Sequence, residues 1–209
     1  MELTDEDLIA NYRRTKDASY FQSLVRRYQN RIFTTAVRVL GSTEGAEEVV
    51  QDTFVKVHQN LDKFRHEATF AAWAFKITHN ICMDILRHKQ RRQGFKVVTF
   101  DPQIPADEDA IEASNNMVSQ LADPTPNPSQ QLEFDEQEAL IAASLESLPD
   151  NQRTVLLLHD VEGFSYQEIA EIVGTSIGTV RSRLHYGRLK LRELLEPYFS
   201  QKNVSAASR

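Results

Sequence analysis

The chain has 209 residues, enough for one large domain or two small ones that each bury a core. Hydrophobic residues make up 41% of the sequence and charged residues 26%, which is ordinary for a soluble protein. The net charge of -6 at pH 7 argues against a uniformly basic nucleic-acid coat. No apolar run approaches the roughly 20 residues that a membrane-spanning helix needs, so we expect no membrane insertion.

The N-terminal stretch "MELTDEDLIA" is acidic and lacks the basic-then-apolar pattern of a signal peptide. Cys82 is the single cysteine, which excludes an intramolecular disulfide and a zinc site built from several cysteines of this chain. These features together predict a protein of the reducing cytoplasm.

The first 92 residues predict an all-α block. A short helix is expected near residues 4–16, and a longer one over 17–40 with apolar side chains at helical spacing, ending at Gly41. The third helix can be capped by Ser42 or Thr43. Its polar face is acidic and contains Glu47, Glu48, Gln51 and Asp52.

A fourth helix is expected to begin after Thr69, which can cap it. Its predicted buried stripe consists of Phe70, Trp73, Ala74, Ile77, Ile81 and Ile85. The opposite face is polar and mostly basic, with Lys76, Asn80, Asp84, Arg87 and Arg91. Basic residues at the end of a helix complement its dipole, which is the simplest explanation of the closing "RHKQRR".

The middle of the chain, residues 93–135, has the composition of a linker. From residue 93 to residue 136 there are nine acidic residues and one basic residue, and five of the seven prolines fall in "FDPQIPADEDA" and "LADPTPNPSQQ". The remaining sequence is slightly basic. We therefore predict two small helical domains, 1–92 and 136–198, joined by an acidic flexible linker and followed by a disordered tail at 199–209.

The second domain contains a predicted helix-turn-helix. Asp150 is expected to cap one helix and Gly163 to end it, after which two further helices meet at Gly174 and the last is capped by Ser176. In this motif the second helix enters the major groove of DNA.

The last helix has an apolar and a basic face. Ile177, Val180 and Leu184 are expected to point inward, while Arg181 and His185 lie on the opposite face. Arginine can pair with guanine through two hydrogen bonds, and flanking cations can neutralise phosphates. The alternative interpretation is a basic helix that simply faces solvent.

Three stretches carry a family resemblance: "YFQSLVRRYQNRIFTTAVRVLG", "AEEVVQDTFVKVHQNL" and "FAAWAFKITHNICMDILRHKQRR", followed by a linker and the helix-turn-helix. In this order they resemble the extracytoplasmic-function (ECF) sigma factors of the sigma-70 family, small bacterial initiation subunits that retain only regions 2 and 4. The resemblance covers residues 10–93 and 136–198. It implies that the chain directs core RNA polymerase to promoters in a stress or environmental response.

The resemblance assigns roles to the exposed residues of region 2. The core-polymerase contacts would be Glu47, Glu48, Gln51 and Asp52 on a helix that would otherwise be read as ordinary solvated surface. The contacts to the −10 promoter element would be Phe64, Arg65, His66, Lys76, Asn80, Asp84, Arg87 and Arg91, with the loop Phe64–Ala68 capturing a flipped base. Trp73 could stack on a base, but its stripe position favours a core role.

For region 4, the resemblance implies contacts to the −35 element. The candidates are Ser176, Thr179, Arg181, Ser182, Arg183, His185 and Arg188. It also implies an anti-sigma factor as a further partner, and no cofactor. The acidic linker would either thread into a positively charged channel of the polymerase or act as a solvated tether.

Two other protein classes fit the sequence less well. A helix-turn-helix regulator with a receiver domain would need alternating strands and helices in residues 1–92, and that pattern is missing. An enzyme or a metal protein could use His79 and Cys82, three residues apart on one helix, but neither has a third partner in the sequence. We therefore expect no enzymatic activity and no metal site.

Overall fold

The computed structural model describes residues 3–65, 67–92 and 128–206, with the side chains of 3–65, 67–92 and 137–198. Every regular element in these ranges is helical, which confirms the all-α fold class. The chain divides into two compact units; the first contains the first four helices and residues 167–175, and the second contains 128–166 and 176–206. The domain boundaries drawn from the sequence stay a prediction, and residues 93–127 of the proposed linker lie outside the described residues.

Four helices build the first unit. They are α1 (Asp5–Thr15), α2 (Ala18–Leu40), α3 (Thr43–Asn60) and α4 (Phe70–Arg92), with a short 3-10 turn at Leu61–Lys63 after α3. Helix α2 packs against α1, α3 and α4, and α3 also packs against α4.

The helices begin at residues whose side chains satisfy free backbone amides. Thr4 forms a capping box with Asp7 at the start of α1, and Asp17 accepts from the Ser19 amide at 2.8 Å. The hydroxyl of Thr69 accepts from the Ala72 amide at 3.2 Å, so the predicted cap of α4 is confirmed. Gly41 ends α2 with φ of 65°, a left-handed conformation that favours glycine.

The core of the first unit lies where the inward faces of the four helices meet. Its largest fully buried side chains are Ile9, Leu24, Ile32, Leu61, Phe70 and Phe75. The predicted stripe of α4 is partly wrong: Trp73, Ile77 and Ile85 are only half-buried, whereas Phe75, Thr78 and Cys82 are buried. The stripe is therefore rotated relative to the prediction.

A buried polar contact explains why the α4 stripe could not be found from apolar periodicity alone. Thr78 on α4 lies 3.3 Å from Thr53 on α3, hydroxyl to hydroxyl, and its hydroxyl also donates to the Ala74 carbonyl at 3.0 Å. Because these threonines satisfy each other, they can occupy core positions that a search for apolar residues leaves out.

The second unit contains α5 (Pro128–Glu146), α6 (Asp150–Leu156), a π-helical turn at Leu157–Val161 and α8 (Ile177–Ala206). Helix α8 packs against α6 and α5. In the chain, α7 (Tyr166–Val173) lies between the π-helical turn and α8. The core of this unit is aliphatic and includes Leu145, Leu148, Val155, Leu156, Leu157, Leu158, Val180 and Leu184.

Several boundaries in this part of the chain differ from those expected. Helix α5 starts at Pro128, since proline is well suited to a first helical position. Pro149, not Asp150, is the residue that precedes α6. Helix α8 continues to Ala206, past residue 199, from which the sequence predicts a disordered tail.

The turn between α7 and α8 follows the expectation from sequence. Gly174 has φ of +68°, and the Ser176 hydroxyl accepts from the Thr179 amide at 3.1 Å. Ile177 is an exception among the predicted inward residues, because it is 44% exposed. The first turn of α8 is thus capped as expected but carries one exposed apolar side chain.

Candidate nucleic-acid and polymerase interfaces

The polar face of α3 presents a compact acidic surface. All four of the residues predicted there are exposed: Glu47, Glu48, Gln51 and Asp52. The opposite face of the helix is buried through Ala46, Val49 and Val57. Carboxylates displayed from a helix that is fixed on its other side can attract a basic partner without any rearrangement.

An apolar residue adjoins this acidic surface. Val55 is 52% exposed and lies three residues after Asp52 and four after Gln51, on the same side of α3. Val55 was not among the residues predicted for this surface, although its helical spacing from Gln51 places it there. A mixed acidic and apolar face is suited to a partner that offers both cations and an apolar contact.

The outward face of α4 presents cations along one side. Lys76, Asn80, Arg87 and Arg91 are exposed there. Asp84, which was also predicted to contact DNA, lies 2.7 Å from the Arg87 guanidinium, and both side chains are more than half exposed. Such an exposed pair is weak and exchanges readily with solvent or with a phosphate. The face as a whole remains net positive.

The loop before α4 places only part of its predicted set on the surface. Arg65 and Glu67 are exposed, whereas His66 lies outside the described residues. Phe64 is 8% exposed, and its ring lies 4.8 Å from the Trp73 ring and 6.2 Å from the Phe70 ring, centroid to centroid. Phe64 was also predicted to contact DNA; in the structure its apolar ring packs against two others and supports the loop from beneath.

The start of α8 collects the side chains predicted to read DNA. His185 is exposed, and Thr179, Arg181, Ser182 and Arg183 are partly exposed. The exposed Ser176 is used as a helix cap, and its hydroxyl also lies 2.9 Å from the Thr179 hydroxyl. Three hydroxyl groups, two guanidinium groups and an imidazole therefore lie within three turns of a helix start that itself favours anions.

Arg188 is engaged within the fold. Its Nε lies 3.1 Å from Asp160 Oδ2, a second nitrogen pairs with Asp160 Oδ1, and the two side chains are only 20% and 12% exposed. The hydrogen bond to Asp160 raises the pKa of the Arg188 guanidinium. Arg188 was predicted to contact DNA; in this structure it instead ties α8 to the π-helical turn.

His159 joins the same cluster, with its Nδ1 3.0 Å from Asp160 Oδ1 and its ring 5.0 Å from the Tyr166 ring. Neither His159 nor Asp160 was predicted from the sequence to have a role. Helical spacing could not predict which way these two side chains point, because the π-helical turn rotates residues 157–161 relative to an ideal α-helix.

Cys82 is unsuited to nucleophilic chemistry. It is 2% exposed, and burial raises the pKa of its thiol to about 12. Among residues 3–65, 67–92 and 137–198, no three His, Cys, Asp or Glu side chains come together as a metal site would require. None of the described helices is both long and apolar enough to cross a membrane.

Two family models match the chain. Residues 24–92 match sigma-70 region 2, and residues 138–191 match sigma-70 region 4. The sigma-E factor of Escherichia coli strain K12 is 31% identical over 196 residues, which span 94% of this chain and 96% of that protein. The sigma-E factor of Haemophilus influenzae is 29% identical over 198 residues, with 94% and 97% covered.

A third relative is longer. The ECF sigma factor SigE of Mycolicibacterium smegmatis is 33% identical over 186 residues, and the chain spans 65% of that protein's length and is itself 89% covered. Two solved structures share the fold at 25% identity. The sigma factor RpoE of Bartonella quintana, in complex with the anti-sigma factor NepR, gives a TM-score of 0.60 with 84% of this chain and 96% of that chain covered. CnrH, in complex with the cytosolic domain of CnrY, gives 0.61 with 92% and 97% covered.

These matches define a transcription initiation factor of the sigma-70 type. The chain belongs to the ECF RNA polymerase sigma factors. It accordingly directs RNA polymerase in transcription initiation, with core polymerase and promoter DNA as its partners.

Proposed function

We propose that three separate surfaces divide the work of initiation. The acidic face of α3 binds core RNA polymerase, the outward face of α4 with loop 64–68 engages the −10 element, and the start of α8 binds the −35 element. The observation that carries this proposal is that exposed ionisable side chains fall on these helices within the segments that match regions 2 and 4. Each surface has the charge that its partner requires.

The α3 surface consists of Glu47, Glu48, Gln51, Asp52 and Val55. Its carboxylates complement a basic partner, and the exposed Val55 adds an apolar contact at one edge. Carboxylate pairs at the rim of an interface mainly accelerate association, whereas an apolar anchor slows dissociation. We infer that Val55 contributes more to the lifetime of the polymerase complex than any single carboxylate.

The α4 surface holds the −10 element as separated strands. Lys76 and Arg91 neutralise phosphates, Asn80 contacts a base, and Arg87 exchanges Asp84 for a phosphate when DNA arrives. Unstacking a base costs a few kcal/mol, and binding energy in the polymerase complex supplies it. On this account, the chain opens DNA without an enzymatic activity or cofactor of its own.

The α8 surface binds duplex DNA. Arg181 and Ser182 contact base edges, while Ser176, Thr179, Arg183 and His185 position the helix on the backbone. Arg188 is left out of this set because it is committed to Asp160. The helix start adds backbone amides that favour phosphate.

The setting follows from the same family membership. We infer a cytoplasmic location, because the polymerase and the promoter are there, and a role in a stress or environmental response. The RpoE and CnrH structures contain an anti-sigma factor and a cytosolic domain of CnrY, respectively. By analogy, an inhibitory partner of this chain would cover the α3 and α8 surfaces.

Variants in two surfaces test the division. Asn80→Ala should slow promoter opening, measured by permanganate reactivity of unpaired thymines, with polymerase affinity unchanged. Arg181→Ala combined with Ser182→Ala should reduce initiation only at promoters that keep the −35 element. Arg192→Ala, an exposed position outside the proposed surfaces, is the matched control. Loss of polymerase binding by both folded variants would contradict the proposal.

A further inference from the structure

Helix α1 lies before the segment that matches region 2, which begins at residue 24. The helix contributes to none of the three proposed surfaces. It is nevertheless firmly docked. Leu8 and Ile9 are buried, and Asp5 at its start accepts hydrogen bonds from Arg27 and Tyr28 of α2. Side chains at its other end are therefore held in place relative to the rest of the unit.

The last turns of α1 contact the end of α3. The Arg13 guanidinium donates to the Leu61 carbonyl through Nε at 3.2 Å, and through Nη2 to the carbonyls of both Leu61 and Phe64. Lys16 lies 3.0 Å from Asp62, and the Tyr12 hydroxyl lies 2.8 Å from His58 Nε2. These contacts surround the short 3-10 turn that leads into loop 64–68.

The Phe64 carbonyl lies at the end of the 3-10 turn, where a helix end leaves carbonyls without an intrahelical partner, whereas the Leu61 carbonyl also accepts from the Phe64 amide at 3.3 Å. A guanidinium presents several donors in a rigid plane, so it fixes the orientation of the backbone carbonyls in addition to supplying a positive charge. Arg13 is only part-exposed, which strengthens such charged hydrogen bonds. Few other side chains could hold two carbonyls three residues apart.

Phe64 is consequently held at two points. Its carbonyl accepts from Arg13, and its buried ring packs against Trp73 and Phe70. The exposed Arg65 and Glu67 follow directly along the chain. The direction in which the chain leaves Phe64 is therefore set by Arg13 and by the aromatic cluster.

We propose that Arg13 is a positioning residue that sets base discrimination at the −10 element by fixing the entry of loop 64–68. The proposal rests on the proposed function of that loop. A loop that is free to shift can adjust its shape to an incorrect base and so reduce the free-energy cost of the mismatch. A loop that is held in one shape cannot adjust, and the incorrect base is then left with steric clashes or unpaired polar groups.

The test uses the full chain with core RNA polymerase and a promoter library randomised at the −10 element. Arg13→Gln should lower the preference for the best base at the loop-read position by roughly fivefold to tenfold, the effect of losing one or two hydrogen bonds. Discrimination at the −35 element and polymerase affinity should not change. Arg13→Lys keeps the charge but not the planar fork, and it should give an intermediate loss. If Arg13→Gln does not fold, Arg13→Lys alone decides.

The matched control is Arg14→Gln, because Arg14 is exposed and its side chain donates to Asn11 on its own helix at 2.9 Å. Arg65→Ala and Glu67→Ala report on the loop itself. If these loop variants change −10 preference and the Arg13 variants do not, the inference is overturned while the loop's function stands. If the loop variants leave −10 preference unchanged, the function proposed for the loop fails, and the inference fails with it. A uniform loss of transcription by the Arg13 variants at all promoters would show a merely structural role.

Discussion

The ion pair between Arg188 and Asp160 provides a quantitative test of how α8 is held. Exposed pairs contribute about 0.2 to 1 kcal/mol, whereas removing one partner of a fully buried pair costs about 3 to 5 kcal/mol. With side chains 20% and 12% exposed, this pair lies between those limits. We expect Arg188→Gln to destabilise the second unit by about 2 kcal/mol, because Asp160 keeps His159 as a neighbour but loses its cation.

Hydrogen exchange followed by mass spectrometry measures this loss where it occurs. In peptides from residues 150–195, Arg188→Gln should accelerate the slowest exchanging amides by about thirtyfold, since 1.4 kcal/mol corresponds to a factor of ten. Peptides from α2 and α3 should not change. Arg181→Gln is the control, because it removes an arginine from the same helix without breaking the pair with Asp160.

Salt dependence separates this structural role from a DNA contact. A side chain that neutralises a phosphate contributes about 0.9 to the slope of log K against log salt concentration. When binding of −35 DNA by the polymerase complex is measured, Arg188→Gln should leave the slope of log K against log salt concentration unchanged. Unchanged exchange in residues 150–195, together with a slope reduced by about one, would refute the assignment of Arg188 to the fold.

Three further predictions concern single positions. Thr69→Ala should destabilise α4 by about 1 kcal/mol through loss of the cap to the Ala72 amide, while Thr69→Ser should not; urea unfolding followed by Trp73 fluorescence would measure both. Cys82 should resist alkylation at pH 8, because burial raises the pKa of its thiol to about 12 and leaves roughly one molecule in ten thousand as thiolate; rapid labelling of the native protein would contradict this. Gly187→Ala should be neutral or stabilising by up to about 1 kcal/mol, since an added Cβ would lie at an ordinary contact distance of 3.6 Å from Leu156 Cδ1. Gly174→Ala should destabilise the protein by about 1 kcal/mol, because φ at residue 174 is +68°. Thermal unfolding would compare the two variants, and a clear loss of stability in Gly187→Ala would be the contrary result.

The helices could be predicted from sequence because local rules act on each of them. The caps at Ser42, Thr69 and Ser176 follow from the hydrogen-bonding chemistry of short polar side chains. Gly41 follows from the steric freedom of glycine. The acidic face of α3 was also predictable, because the buried and exposed residues of that helix separate by helical spacing alone.

The remaining features depend on contacts between residues far apart in the sequence. Arg188 has the sequence features of a DNA-binding residue until Asp160, 28 positions earlier, is placed beside it. Phe64 similarly lies in a polar loop, and only the fold places its ring against Trp73. The contact of Arg13 with the Phe64 carbonyl spans 51 positions and involves a backbone acceptor, which no side-chain pattern can reveal.

The most direct test of the account is co-migration of the purified chain with bacterial core RNA polymerase, followed by mapping of transcription start sites on a genomic promoter library. We predict a stable complex and discrete new start sites preceded by shared −35 and −10 sequences. A variant in which Glu47, Glu48, Gln51 and Asp52 are each changed to Lys, which reverses three charges and adds a fourth cation, should abolish both. Binding of promoter DNA without any association with the polymerase would contradict the account.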